Sequence, residues 1–388
     1  MHRSEERILT THAGSLPRPA ELTTLMIRKS RNEPVDALEL RSIVEAATRR
    51  VVAQQIEAGI DIGNNGEQPR ESFFTYVQHR LSGFGGSYSR PIMRDIIHYQ
   101  SFLQLKLPSL ARRPMVSLGT LPKAVGEVRY VDRSQTEREC ADFKRIAAQH
   151  RTAFVESFMS AASPGIVACA MENEYYPSIE DYLDAVANAL CSEYELIASQ
   201  GFTLQIDCPD LAMERHTRFY EQPLDVFLRF VDHNIAAINR ALTNIAREQV
   251  RLHVCWGNYE APHIFDVELD ELLPHLYRAK VGALVLSMAN PRHAHEYKCF
   301  RRHPLPDGIL LVAGVIDPTT NYVEHPEVVA ERIERVAEVV GDPHRVLAGT
   351  DCGFDTSAGL GEVAEEVVWE KLRALRAGAD LASRRLFG

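Results

Sequence analysis

Short apolar, β-branched runs alternate with long amphipathic stretches along the chain, the pattern of repeated βα units around a parallel sheet. Residues 8–11, 60–63, 115–118, 203–206, 251–255, 283–286, 310–313 and 346–348 are expected as eight strands. Residues 38–57, 181–199, 224–247 and 327–340 carry helical periodicity, the last behind Pro326 and with acidic residues in its first turn. A further apolar run at 165–170 is read as part of an insertion. The expected strands end in THAGS, NNGE, GT, DCPD, WGN, SMAN, GVID and GTDC, so each passes from apolar to polar or Gly at its C-terminal end. A closed (β/α)₈ TIM barrel gathers those ends on one face, where such barrels place their chemistry. An open doubly wound sheet would more often show a phosphate loop after its first strand, and neither GxGxxG nor GxxxxGK[ST] occurs. The expectation is a single catalytic barrel over 1–388, with an inserted loop region around 70–112.

Composition narrows this further. A chain of 388 residues, 45% hydrophobic, can bury a core without disulfides. Its seven cysteines are odd in number, scattered and without a CxxC pair, which points to a reducing cytoplasm and not to a secreted framework. The segment MHRSEERILTTHAGS lacks the apolar core of an export signal, and no run of about 18 apolar residues suggests a membrane span. A net charge of −10 argues against non-specific nucleic-acid binding. Composition leaves homo-oligomerisation open.

The candidate chemistry lies at two strand ends. His253 and Cys255 stand at i and i+2 in RLHVC, and strand alternation turns both to one face. Cys352 ends a different run, VLAGTDC. Three N/S ligands at one barrel mouth make an open zinc site with room for a substrate thiol. Zinc suits thiolate and imidazole, and it lowers the pKa of a bound thiol, whose thiolate is the nucleophile in alkyl transfer. On spacing alone, HxC with a distant Cys also reads as small buried residues.

LTTHAGSLPRP, the Gly-Glu of NNGEQP, LQID, HVCWGN, GVID and GTDCG together resemble the cobalamin-independent methionine synthase family, in its single-barrel branch similar to the C-terminal catalytic domain. The resemblance runs from about residue 8 to about residue 375. It implies zinc on His253, Cys255 and Cys352 and a small-molecule thiol, homocysteine or an analogue, as acceptor from an alkyl donor such as 5-methyltetrahydrofolate. It also implies Gly14 and Ser15 at the thiol's carboxylate, with Glu67 and Asp207 at its ammonium group. A buried zwitterion needs such paired charges; strand-end capping is the plain alternative for the two acids.

The chain departs from that family on the donor side. LVLSMANPRH has no carboxylate before Asn290 where the family supplies a fourth zinc ligand, and Glu296 reaches the metal only if its loop folds in. Thr319 stands near the place of a proton-carrying His after GVID, which leaves Asp317 and His325 as candidates for that proton. Thr120 stands where a pterin-stacking Trp is expected. Epoxyalkane:coenzyme M transferases resemble the same barrel family and keep a His-x-Cys…Cys zinc set, so thiol addition to an epoxide is the enzymatic alternative. A zinc-binding protein on the same fold is the non-enzymatic one. A uroporphyrinogen-type decarboxylase needs no metal, and HVC…DC speaks against it. Three other segments receive bland readings: ANPRHAHEY, with His293 and His295, as a polar loop over the mouth, RLSGFGGSYSRP as a mobile loop, and Cys208 as a residue of the active face.

Overall fold

The computed structural model describes residues 1–31, 33–150 and 154–388. Its strands are β1 (Ile62–Gly63), β2 (Phe84–Ser89), β3 (Thr120–Ala124), β4 (Glu156–Ala162), β5 (Thr203–Asp207), β6 (Val250–Val254), β7 (Ala283–Leu286), β8 (Leu310–Ile316) and β9 (Val346–Thr350). Seven of them join in the order β1-β4-β5-β6-β7-β8-β9, every pair parallel. The N-terminal segment closes the ring. Thr11 N donates to Ala348 O (2.9 Å), Ala348 N to Leu9 O (2.9 Å) and Ile62 N to Thr10 O (3.0 Å). The fold is a TIM-type α/β barrel with this short segment as its eighth strand.

Strand alternation builds the two layers. Leu204, Ile206, Leu252, Val254, Leu284, Leu286, Leu311 and Ala313 pack outward against the helices. Their neighbours Leu9, Ile62, Phe158, Ala283, Val285, Leu310, Val312 and Leu347 fill the barrel interior, closed by Met1. Above them Arg251 crosses the axis, its guanidinium 3.7 Å from the Phe158 ring centre. It donates to Gln205 Oε1 (2.8 Å), Thr11 Oγ1 (3.2 Å) and His12 O (3.1 Å), the bonds a buried guanidinium requires. The helices start on identifiable caps. Asp36 accepts from Leu38 N and Glu39 N before Ala37–Glu57, and Ser178 accepts from Asp181 N before Ile179–Ser199. Pro326–Val340 ends on Gly341 at φ 78, a left-handed position that suits glycine.

Two sequence expectations fail together. Residues 115–118 form no strand; the barrel strand of that region is β4, and the run at 165–170 is the helix Pro164–Ala170 behind it. MVSL has the stronger β composition, but ESFMSAA pairs with β1 and β5 on both edges, and such tertiary pairing overrides local preference. The expected mobile loop is also ordered: Phe84–Ser89 pairs antiparallel with Thr120–Ala124. That ladder and the helices Arg94–His98 and Gln100–Arg112 form an excursion over the mouth. A buried ionic group ties its base to the barrel. Arg70 contacts Glu139 (2.9 Å), Arg80 contacts Glu139 and Glu193 (3.1 Å to the latter), and the Tyr76 ring lies 4.3 Å from each guanidinium.

Candidate active site

Register places the first functional pair. In the β5–β6 ladder Gln205 faces Arg251 and Asp207 faces His253, all four pointing inward by alternation. Asp207 Oδ1 therefore accepts from Gln205 Nε2 (2.7 Å) and meets His253 Nδ1 (2.9 Å). That contact turns His253 Nε2 toward Cys352 Sγ, 3.9 Å away, and toward the Asp351 carbonyl at 3.1 Å. The ligand atoms of His253, Cys255 and Cys352 all lie within 4.8 Å of one another, and the three residues are buried. A ring nitrogen held by a carboxylate while the other faces two thiols is the arrangement that orients a metal-binding imidazole. The donor set, one imidazole and two thiols on a barrel mouth, fits a soft divalent ion such as zinc.

The electrostatics match the geometry. Burial disfavours charge on His253, but the Asp207 hydrogen bond and the Cys255 sulfur outweigh it and push the ring up to about 10. A hydrogen bond from Cys352 holds the Cys255 thiol well below its ordinary range despite burial, with His253 adding to the effect.

The three residues floor one end of a cavity of about 300 Å³ that Ser15, Glu67 and Asp207 also line. Glu67 is set with unusual care. Its backbone sits at φ 55, a costly conformation for a residue with a Cβ. Ser160 Oγ donates to Oε1 at 2.6 Å, whereas Oε2 is buried without a hydrogen-bond partner. Burial and the charge of Asp207 push this carboxyl up to about 7. Gly14, at φ 132, leaves the space Glu67 needs: a Cβ there would stand 2.5 Å from Oε1. The excursion lines the cavity mostly with apolar side chains, Ile92, Met93, Ile96, Leu103 and Leu118, together with Arg90 and Lys106, and Phe73 and Tyr259 offer aromatic rings.

Not every residue expected from sequence gathers here. Asp317 accepts from Thr319 N (2.9 Å) and Thr319 Oγ1 (2.7 Å) and borders a second, small space of about 20 Å³ on the other side of Cys352. His325 is exposed and caps Pro326–Val340 through Glu327 N, 3.2 Å from its Nδ1, and it lines neither cavity. Glu296 does not fold back to the metal residues. Its Oε1 accepts from Leu269 N (2.6 Å), and its Oε2 meets His293 Nδ1 (2.8 Å). Asp351 occupies the backbone where a fourth ligand was sought, accepting from Met288 N, Ala289 N and Asn290 N. Cys208 packs in the apolar layer. Thr120 begins β3 on the exposed side, and its neighbours Leu118 and Gly119 are the ones that face the cavity.

The loop after Cys255 holds a group that sequence reasoning missed. His216, His263 and His293 surround Asp266, and all four are buried. His263 Nδ1 and His293 Nε2 lie 2.9 and 2.8 Å from Asp266 Oδ2, and His216 Nδ1 lies 2.9 Å from Oδ1. Despite burial, these imidazoles hold Asp266 well below the carboxylate range. Burial disfavours charge on His293, yet Asp266 and Glu296 push it up to about 9. ANPRHAHEY is a polar loop only in part: Pro291 and His295 are exposed, but His293 is buried and stacks on Trp256 at 4.0 Å. HxxD at 263–266 and HxxE at 293–296 were the available signal.

No family model matches the chain. Among curated proteins, the methionine synthase of Thermococcus kodakarensis is 26% identical over 379 residues, covering 97% of this chain and 94% of the relative. That of Sulfolobus acidocaldarius is 26% identical over 346 residues, covering 89% and 85%. The 2-hydroxypropyl-CoM lyase of Xanthobacter autotrophicus is 25% identical over 415 residues, covering 98% and 96%. A solved structure of a B12-independent methionine synthase from Shewanella sp. W3-18-1, in complex with selenomethionine, superposes with a TM-score of 0.73 at 23% identity, covering 98% of this chain and 99% of that one. The resemblance to the cobalamin-independent methionine synthases extends along nearly the whole chain. Among the described residues no helix is long and apolar enough to cross a membrane.

Proposed function

We propose that the chain is one catalytic barrel that transfers a methyl group to the thiol of homocysteine, with zinc held by His253, Cys255 and Cys352. The observation that carries this reading is the shared cavity. Two thiols and an oriented imidazole floor it, while Glu67, Asp207 and Ser15 stand on the adjoining wall. The names of the long-range relatives support the same acceptor. Bound there, zinc lowers the pKa of a thiol and keeps its sulfur nucleophilic at neutral pH.

The remaining work falls to the chain. Asp207 holds His253 in one ring orientation. Glu67 Oε2, buried and without a partner, accepts a substrate ammonium hydrogen, and Ser160 keeps the carboxylate aimed. Gly14 and Ser15 receive the substrate carboxylate. The apolar end takes the methyl donor and excludes water around the transfer. A folate donor needs a proton on its leaving amine, and neither Asp317 nor His325 lines the large cavity. A donor with a better leaving group, a methylcobalamin or a methylated corrinoid protein, therefore stands beside 5-methyltetrahydrofolate.

Coenzyme M fits this end less well. It has no ammonium group for Glu67 and Asp207 to hold, and the cations that line the cavity, Arg90 and Lys106, stand on the excursion and are paired with Glu214 and Glu260. The test is turnover by the zinc-loaded full chain, with homocysteine or coenzyme M offered alongside methylfolate, methylcobalamin or epoxypropane. Methionine formation from homocysteine is expected. Formation of a hydroxyalkyl thioether from coenzyme M and epoxypropane, with no methionine under any donor, would replace this reading.

A further inference from the structure

We infer that His263, Asp266 and His293 form a second metal site, for a first-row divalent cation bound through nitrogen and oxygen alone. Their ligand atoms lie within 4.8 Å of one another, in a buried setting and apart from the cysteine-containing group.

Proton counting supports the assignment. His293 Nδ1 is 2.8 Å from Glu296 Oε2, and that carboxylate is fixed by Leu269 N at its other oxygen. His263 Nε2 is 3.0 Å from the Tyr259 carbonyl. Carboxylate and carbonyl oxygens only accept, so each of these outer nitrogens carries a hydrogen. In the neutral ring the inner nitrogen then presents a lone pair. The inner nitrogens of both rings converge on Asp266 Oδ2, at 2.9 and 2.8 Å. A divalent cation bound at that point would take the place of the protons that the inner nitrogens otherwise carry. Outer N–H groups tied to a carboxylate and a backbone carbonyl are also how metal-binding histidines are held.

Two further observations point the same way. His216 Nδ1 and Asp266 Oδ1 are buried and lack an aligned hydrogen-bond partner, although only 2.9 Å separates them; a cation offers both a better contact. His263 keeps a backbone φ of 54, a strained value for a histidine, which places its ring against Asp266. The space of about 20 Å³ bordered by His263, His293, Asp317 and Cys352 is large enough for one water as an exchangeable ligand. Two imidazoles and a carboxylate without sulfur suit zinc or iron(II) and contrast with the thiol-rich first site. Occupied, the second site pins the loop leaving Cys255 to the loop carrying His293, and so braces the backbone under the first.

The test counts metal in the full-length protein after loading with zinc alone and, separately, with iron(II) alone. About two equivalents of zinc per chain are expected, falling to about one in Asp266→Asn and in His293→Gln, and to about one in the Cys255→Ser, Cys352→Ser double variant. X-ray absorption of the zinc left in that double variant should show nitrogen and oxygen neighbours only. The histidine variants report on this site and the cysteine variants on the first, so failure of one reading is distinguishable from failure of the other. About one equivalent in the parent after either loading, undiminished in both Asp266→Asn and His293→Gln, overturns the proposal, as does a nitrogen NMR spectrum of loaded protein with His263 and His293 both as imidazolium.

Discussion

The two ends of the large cavity are built by different means. At the polar end Glu67, Asp207, His253, Cys255 and Cys352 all sit at or just beyond the ends of barrel strands, locked by ladder register and by hydrogen bonds such as Asp207 to His253. At the apolar end Ile92, Met93, Ile96, Leu103 and Leu118 come from an excursion of one antiparallel ladder and short helices. The first end is as rigid as the barrel and carries charges whose positions matter to tenths of an ångström. The second is mostly apolar surface, with Arg90 and Lys106 paired to Glu214 and Glu260. An acceptor end built on the barrel could thus persist while the excursion changed to suit another donor.

The sharpest way to break this comparison is at the sulfur ligands. Cys352→Ser should lose most first-site zinc and reduce methyl transfer by on the order of 10³-fold or more, because the missing group serves both binding and activation. Metal analysis and single-turnover rates check it. Asp207→Asn keeps the ligands and releases the imidazole, so zinc affinity should fall about 10- to 100-fold, read by chelator competition.

Glu67→Gln should weaken homocysteine binding roughly tenfold, as for a lost charged hydrogen bond, with zinc content unchanged. The same residue gives a pH signature. Its carboxyl is raised from the ordinary 4.5 to about 7, so between those values the folded chain holds a proton that the unfolded chain has released. Its contribution to stability is full below about 4.5 and is lost as pH rises through about 7. In chelated, substrate-free protein the melting temperature should therefore fall less between about pH 5 and about pH 8 in Glu67→Gln than in the parent. An equal slope in both would remove Glu67 from the account.

The smallest effect belongs to the apolar end. Leu103→Ala should raise the donor KM by roughly 2- to 10-fold, the scale of one lost apolar contact, and leave homocysteine affinity and zinc untouched. A matching loss of homocysteine affinity would show that the two ends are not independent.

The same contrast explains what could be read from the sequence. Alternation along β6 put His253 and Cys255 on one face before any coordinates, and the polar endings of the strands located the mouth. Eight strands were anticipated, but β4 was missed: ESFMSAA is small and partly polar because Ser160 must reach Glu67, a tertiary demand with no local trace. The His263–Asp266–His293 group escaped because His263 and Asp266 lie on one loop and His293 on another, where no periodicity marks which side chains turn inward. His325 shows the opposite case. Its position after GVID suggested chemistry, while its side chain serves the local need of a helix N-terminus.

The most direct test of the central claim is zinc K-edge X-ray absorption on the Asp266→Asn variant, in which only the first site should be filled, recorded with and without homocysteine. The account predicts a shell of imidazole nitrogen and two sulfurs that gains a third sulfur when homocysteine is added. A shell without sulfur, or one that gains sulfur from coenzyme M and none from homocysteine, would contradict it.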